Sequence, residues 1–232
     1  MAEQKFGSKV LISGTANSGK TTLLKPLTDV FVIARDGKRY PFAQPHVNMP
    51  EVTHDKNGPG AAEGIINIIN TKLGAYKEKY GSLPKTVVFD SISKIFLDIE
   101  VAVTKVVTSF PYGVINTEIA ELVAYIESTL IPNGINVVII SHALMDEDTG
   151  LFKLVNAGGA YGKKGGFLSE TDQAVFLEAK ATKRMVHHRN LKFISRSLNE
   201  SFPDVEPVAE FNLQNYLDTL SGASGSAAEF EL

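Results

Sequence analysis

Four short apolar runs restrict this chain more than any other feature: "SKVLIS" (8–13), "VFVIA" (30–34), "KTVVFD" (85–90) and "INVVIISH" (135–142). Each is rich in Val and Ile, and none alternates with polar residues as a strand with one wet face would. Such strands need cover on both sides. Residues 61–80 place Ile65, Ile66, Ile69, Leu73 and Tyr76 at helical spacing, and 91–107 and 117–131 are predicted as two further helices. A helix after the first strand is expected to start near Lys20 and to stop by Pro26 or soon after. Residues 35–60, with Pro41, Pro45, Pro50 and Pro59, are predicted to be mostly loop. The alternation predicts an α/β fold with a mainly parallel sheet flanked by helices, since parallel neighbours need a crossover. A length of 232 residues suits one such domain and not two.

The pattern changes after His142. Residues 143–170 are Gly-rich and read as a long loop, and loops of that length are seldom idle. "TDQAVFLEAK", "RMVHHR" and "LKFISRS" follow, predicted as successive antiparallel strands closing one edge of the sheet. His187 and His188 fall in that edge without ligand-spaced partners and are read as surface residues, not a metal site. The chain has no cysteine, which excludes disulfides and thiolate metal sites. Its last residues, "SGASGSAAEFEL", are low in complexity, giving an expected division into a domain at 1–220 and a flexible acidic tail at 221–232.

Chemistry concentrates at the end of the first strand. Gly14-Thr15-Ala16-Asn17-Ser18-Gly19-Lys20-Thr21, followed by Thr22, fits G-x-x-x-x-G-K-[ST] between a predicted strand and a predicted helix. Glycines at both ends let consecutive N–H groups turn inward as a cradle for phosphate oxygens. Lys20 is placed to reach the β and γ phosphates of ATP, and Thr21 to ligate Mg²⁺. A cradle of this kind needs a second metal-side carboxylate at a neighbouring strand end, and Asp90 in "TVVFDS" supplies one. Asp90 is also placed to cap the helix beginning at Ser91. Ser91 stands where many ring ATPases carry a water-activating Glu, so that acid must come from elsewhere. Asp36, just past the second strand, is the candidate, with a plain surface turn in "RDGK" as the other reading. Ser141-His142 ends the fourth strand at the same edge, where His142 is a candidate γ-phosphate sensor.

Net charge is −3, but it is unevenly spread. Residues 153–196 carry nine Lys or Arg against three acids, and 197–232 carry seven acids without one Lys or Arg. That suggests a basic working surface followed by an acidic tail, or simply two solvated faces that differ. Met1 to Lys9 lacks the apolar core of a signal peptide, and no run approaches membrane-spanning length, so a cytoplasmic protein without membrane contact is expected.

In their order, "GTANSGKTT", "VVFDSISKI", "NVVIISHA", the Gly-rich loop, "ETDQAVFLE" and "LKFISRS" resemble the compact phage-encoded ATPases with a RecA-like core, whose best-known members are the Sak-type single-strand-annealing recombinases. The resemblance spans about residues 8–218. It implies a RecA-like P-loop core with antiparallel strands at its C-terminal edge, ATP hydrolysis with Mg²⁺, and a water-activating acid at the place of Asp36. It further implies single-stranded DNA binding in recombination, annealing or replication. The matching loop holds Lys153, Tyr161, Lys163 and Lys164, and "SFPYG" (109–113) is a second candidate. Homo-oligomers are implied too, with Arg196 beside Lys192 completing a neighbour's site. A single-stranded-DNA-binding protein or another replication partner is a further expected contact, in a host's cytoplasm. The chain departs from the family with Asp rather than Glu at the catalytic position, His in the sensor segment, and Ile194 where a lysine is expected. Two other readings of the same residues are a small-molecule kinase, against which no Arg-rich lid is evident, and a nucleotide-gated adaptor with slow turnover.

Overall fold

The computed structural model describes residues 6–35, 37, 39–55, 57–155, 167–197 and 199–223. Among them, nine strands build one sheet. In chain order they are β1 (Lys9–Gly14), β2 (Val30–Ala34), β3 (His46–Asn48), β4 (Thr86–Asp90), β5 (Asn136–Met145), β6 (Phe152–Leu154), β7 (Gln173–Lys180), β8 (Lys183–His187) and β9 (Val205–Pro207). Their spatial order is β3-β2-β4-β5-β1-β7-β8-β9, with β6 paired to β5. From β3 to β7 every neighbour on that path is parallel, and β8 and β9 close the edge antiparallel. The chain is thus a mixed α/β protein, mainly parallel, with antiparallel C-terminal strands.

Alternation along the strands divides the core in two. Leu11, Phe31, Ile33, Val87, Phe89, Val137, Ile139 and Phe176 face one layer, formed by α1 (Ala61–Tyr80), α2 (Ile92–Val106) and α3 (Pro111–Tyr125). Val10, Ile12, Val32, Val88, Val138, Ile140 and Val175 face the other, where Leu23, Leu24 and Leu27 meet α4 (Leu213–Ala223). Burial on both faces is why these strands are uninterrupted apolar runs.

Several expectations need correction. The helix expected after the glycine-rich turn is a single 3₁₀ turn, Thr21–Leu24. Pro26 has no N–H to extend it, so an axial dipole contributes little at this site. Residues 143–155 are not an unpatterned loop: β5 runs on to Met145 and turns through Gly150 (φ +66°) into β6. β7 is parallel to β1, whereas an antiparallel strand was expected. "LKFISRS" is no strand; it meets the sheet through one bridge, Arg196 to Ala174, and the third C-terminal strand is β9 instead. Helix α4 extends through Ala223, so the expected boundary at 220/221 falls inside a helix. "SFPYG" contains the start of α3, with Pro111 at its first turn and Phe110 (φ +52°) and Tyr112 exposed before and within it.

His187 and His188 are not surface residues either: both are buried. Adjacent strand residues point to opposite faces, and here both faces are covered. His187 packs on Phe193 and meets Glu178, while His188 lies among Phe202, Phe211 and Tyr216 and meets Glu206. Among the described residues no metal-holding group of three His, Asp or Glu exists. The acidic end is also partly spent inside the fold, with Asp204 paired to Arg189 and Glu206 to His188.

Candidate functional site

Parallel strands bring their carboxyl ends to one edge, and the register there is informative. Gly14 ends β1 opposite His142 of β5, Ser13 lies opposite Ser141, and Asp90 ends β4 opposite Ile140. β5 therefore stands between the glycine-rich turn and Asp90, and its Ser141-His142 end borders both. Ser93 Oγ is 2.9 Å from Ser141 Oγ and accepts from His142 N at 3.1 Å, tying the first turn of α2 to that strand end.

The turn is held open by its glycines. A Cβ on Gly14 would stand 2.5 Å from Leu177 O of β7, so the close approach of the two strands needs glycine there. Gly19 has φ +98°, and Asn17 is left-handed at +61°. Lys20 is 6% exposed and folds back over the turn: Nζ donates to Gly14 O at 2.9 Å, Thr15 O at 2.6 Å and Ser18 Oγ at 3.4 Å. These contacts, to two carbonyls and a hydroxyl, keep its ammonium over the turn.

Asp90 is 3% exposed at the other side of the cleft. Its Oδ2 accepts from Thr21 Oγ1 at 3.1 Å and from Tyr40 OH at 3.0 Å. A hydroxyl beside a carboxylate is an all-oxygen donor pair of the kind Mg²⁺ takes. Tyr40 was not foreseen, because it lies in the Pro-rich segment 35–60, which carries no periodic pattern. Between Lys20 and Asp90 lies a cleft of about 320 Å³, lined by Asn17, Ser18, Gly19, Lys20, Thr21, Thr22, Asp90, His142 and Arg184.

Five of the sequence-predicted nucleotide contacts after Ala16, together with Lys20, Asp90 and His142, thus meet in one place. Gly14, Thr15 and Ala16 belong to the turn but not to the cleft wall. Asp36 lies outside the described residues; its neighbour Arg35 donates N–H to Asp90 O at 2.9 Å. Arg196 is exposed and not among the cleft residues, its backbone paired with Ala174 well before the carboxyl end of β7. Lys153, predicted to meet DNA, forms an ion pair with Asp146 across the β5–β6 hairpin. That bond, with two from Thr149, holds the Asp146 carboxyl down at about 2. Tyr161, Lys163 and Lys164 lie outside the described residues. Arg184, which no motif marks, reaches the cleft from β8. It also borders a larger groove of about 920 Å³ walled by Ala181, Met185, Pro207 and Val208.

A mainly parallel α/β sheet with a glycine-rich, lysine-bearing turn at its carboxyl edge defines the class to which fold and cleft assign this chain. No protein-family model and no curated protein matches the sequence. Among solved structures, the crystal structure of the RadB recombinase is similar at 16% identity and a TM-score of 0.42, over 81% of this chain and 84% of that one. A likeness of that size adds nothing to what the strand order and the cleft display directly. No helix among the described residues is long and apolar enough to cross a membrane.

Proposed function

We propose that the chain is a P-loop ATPase of RecA-like arrangement that hydrolyses ATP to ADP and phosphate and couples turnover to single-stranded DNA in recombination, annealing or replication. The observation that carries this reading is the meeting of Lys20, Thr21, Asp90 and His142 on one cleft at the carboxyl edge of the sheet. The turn's N–H groups and Lys20 bind the phosphates, and Lys20 exchanges its carbonyl partners for phosphate oxygens. Thr21 and Asp90 would hold Mg²⁺, which when bound would supply charge neutralisation for the phosphates. Asp36 takes a proton from the attacking water as its oxygen bonds to the γ phosphorus and the bond to the β-phosphate oxygen breaks. His142 meets the γ phosphate and, being continuous with β5, passes its loss to the β5–β6 hairpin. The phage setting and the annealing role rest on the sequence resemblance.

One observation favours a second reading, the nucleotide-gated adaptor. The hairpin exposes Leu144, Met145 and Leu151 while its lysine is already paired, a surface suited to a protein as much as to phosphates. ATP turnover measured with and without single-stranded DNA tests both. Stimulation supports the DNA-coupled ATPase; tight ATP binding with slow turnover that DNA leaves unchanged points to the adaptor. Phosphate transfer to a small molecule would overturn both.

A further inference from the structure

We infer that Arg184 is the second cation of the phosphate cleft and that it acts within its own chain. The inference rests on the nucleotide reading above. β8 holds the residue at a fixed place: Arg184 lies opposite Ala179 of β7, and its carbonyl accepts from Val208 N at 3.0 Å. Two positions earlier along β7, Leu177 is opposite Gly14, so the β7–β8 hairpin overhangs the glycine-rich turn. The guanidinium covers that turn, with Nη1 3.5 Å from where a Cβ on Gly19 would sit. Among the described residues it has no ion-pair or hydrogen-bond partner, although it is the most richly donating group in the cleft.

Charge places a demand on the ligand. Among the described residues that line the cleft, Lys20 and Arg184 are the two cations and face the carboxylate of Asp90, so two positive groups converge where phosphate oxygens would lie. A planar fork of N–H donors over a cradle suits phosphate oxygens in pairs, better than a lysine would. Arg196, in contrast, stays away from the cleft within one chain. A cleft that already holds an arginine of its own chain needs none from a neighbour to fill that place.

The test combines two substitutions and one mixture. Binding of inorganic tripolyphosphate and of ATP with Mg²⁺, and ATP turnover, are measured for the unaltered chain, Lys20→Ala, Arg184→Ala and Arg184→Lys. Arg184→Ala is expected to lose about a thousandfold in turnover, the low side of what a charge-stabilising arginine contributes, while Arg184→Lys recovers part of it. Mixing Arg184→Ala with Lys20→Ala should restore nothing, since both defects fall on the same site. Arg184 is exposed, so thermal unfolding should match the unaltered chain. If Arg184→Ala binds and turns over normally while Lys20→Ala is inactive, the inference fails and the nucleotide reading stands. Recovery in the mixture would overturn the same-chain role. If the unaltered chain binds neither tripolyphosphate nor ATP, both the reading and the inference fall.

Discussion

Thr21 Oγ1 donates to Asp90 Oδ2 at 3.1 Å, joining the end of the glycine-rich turn directly to the end of β4. The two residues are 69 positions apart in sequence. A metal held there would draw on these two oxygen groups in place of their hydrogen bond. Asp90→Ala should therefore weaken ATP binding in Mg²⁺ by about tenfold or more, the scale of a lost hydrogen bond to a charged group, and leave binding without Mg²⁺ little changed. Titration of a fluorescent ATP analogue with and without EDTA checks this. Equal affinities for the variant and the unaltered chain in Mg²⁺ would remove Asp90 from the metal.

Tyr40 shares the same carboxylate oxygen, at 3.0 Å. Tyr40→Phe keeps the ring against Phe42 and His46 but deletes one of the donors fixing Asp90. A loss of about 0.5–1.5 kcal/mol in Mg·ATP affinity is expected, with unfolding almost unchanged. Binding isotherms for the two chains decide it.

The two glycines of the turn should fail differently. Gly14→Ala drives a Cβ to 2.5 Å from a backbone oxygen of β7, which has no rotamer by which to yield. It should cost about 1–3 kcal/mol of stability through overpacking. Gly19→Ala meets only Arg184 Nη1, at 3.5 Å, so its cost is the backbone strain at φ +98°, about 1–2 kcal/mol. Its larger effect should be on ATP binding, since relief of that strain turns an N–H out of the cradle. Thermal melts and ATP titrations of both variants separate the two effects.

Asp36→Asn retains shape while losing basicity. If Asp36 activates water, ATP binding should persist and hydrolysis should slow about a hundredfold. Unchanged turnover would return the role to another acid. Asp98 and Glu100 on α2 are the alternatives, and Asp98 is engaged by Arg35 and Lys94.

Stability should depend on pH through His188. Burial lowers its pKa below the ordinary 6.5, outweighing the opposite pull of Glu206; Arg189 and His187 lower it further. The neutral ring donates from Nε2 to Glu206 at 2.7 Å. A lowered native pKa means that the unfolded chain binds more protons, so stability is fully present above 6.5 and is lost as pH falls toward the native value. The loss approaches about 1.4 kcal/mol per pH unit for one group. Melts between pH 7.5 and 5.5 should show a falling Tm, flattened by His188→Gln. An equally steep profile in that variant would place the dependence elsewhere.

What the sequence determined by itself was local. The apolar runs marked β1, β2, β4 and β5, because burial on both faces leaves no room for polar alternation. Gly14, Gly19, Lys20 and Thr21 were legible because a cradle needs those residue types within eight consecutive positions. Asp90 followed from being last in its strand and His142 from closing the apolar run of β5, where its parallel pairing with β1 ends although the strand itself continues to Met145. Tertiary structure decided the rest. The direction of β7 depends on which strand it joins, and pairing with β1 made it parallel. The burial of His187 and His188 depends on Phe193 and on α4 arriving from later in the chain. Lys153 gave no sign of its partner until a hairpin brought Asp146 across from it. Tyr40 and Arg184 carry no local signature: Tyr40 meets Asp90, and Arg184 reaches the cleft, because a distant strand end lies where each one's own segment passes, and residue spacing holds no record of such a meeting.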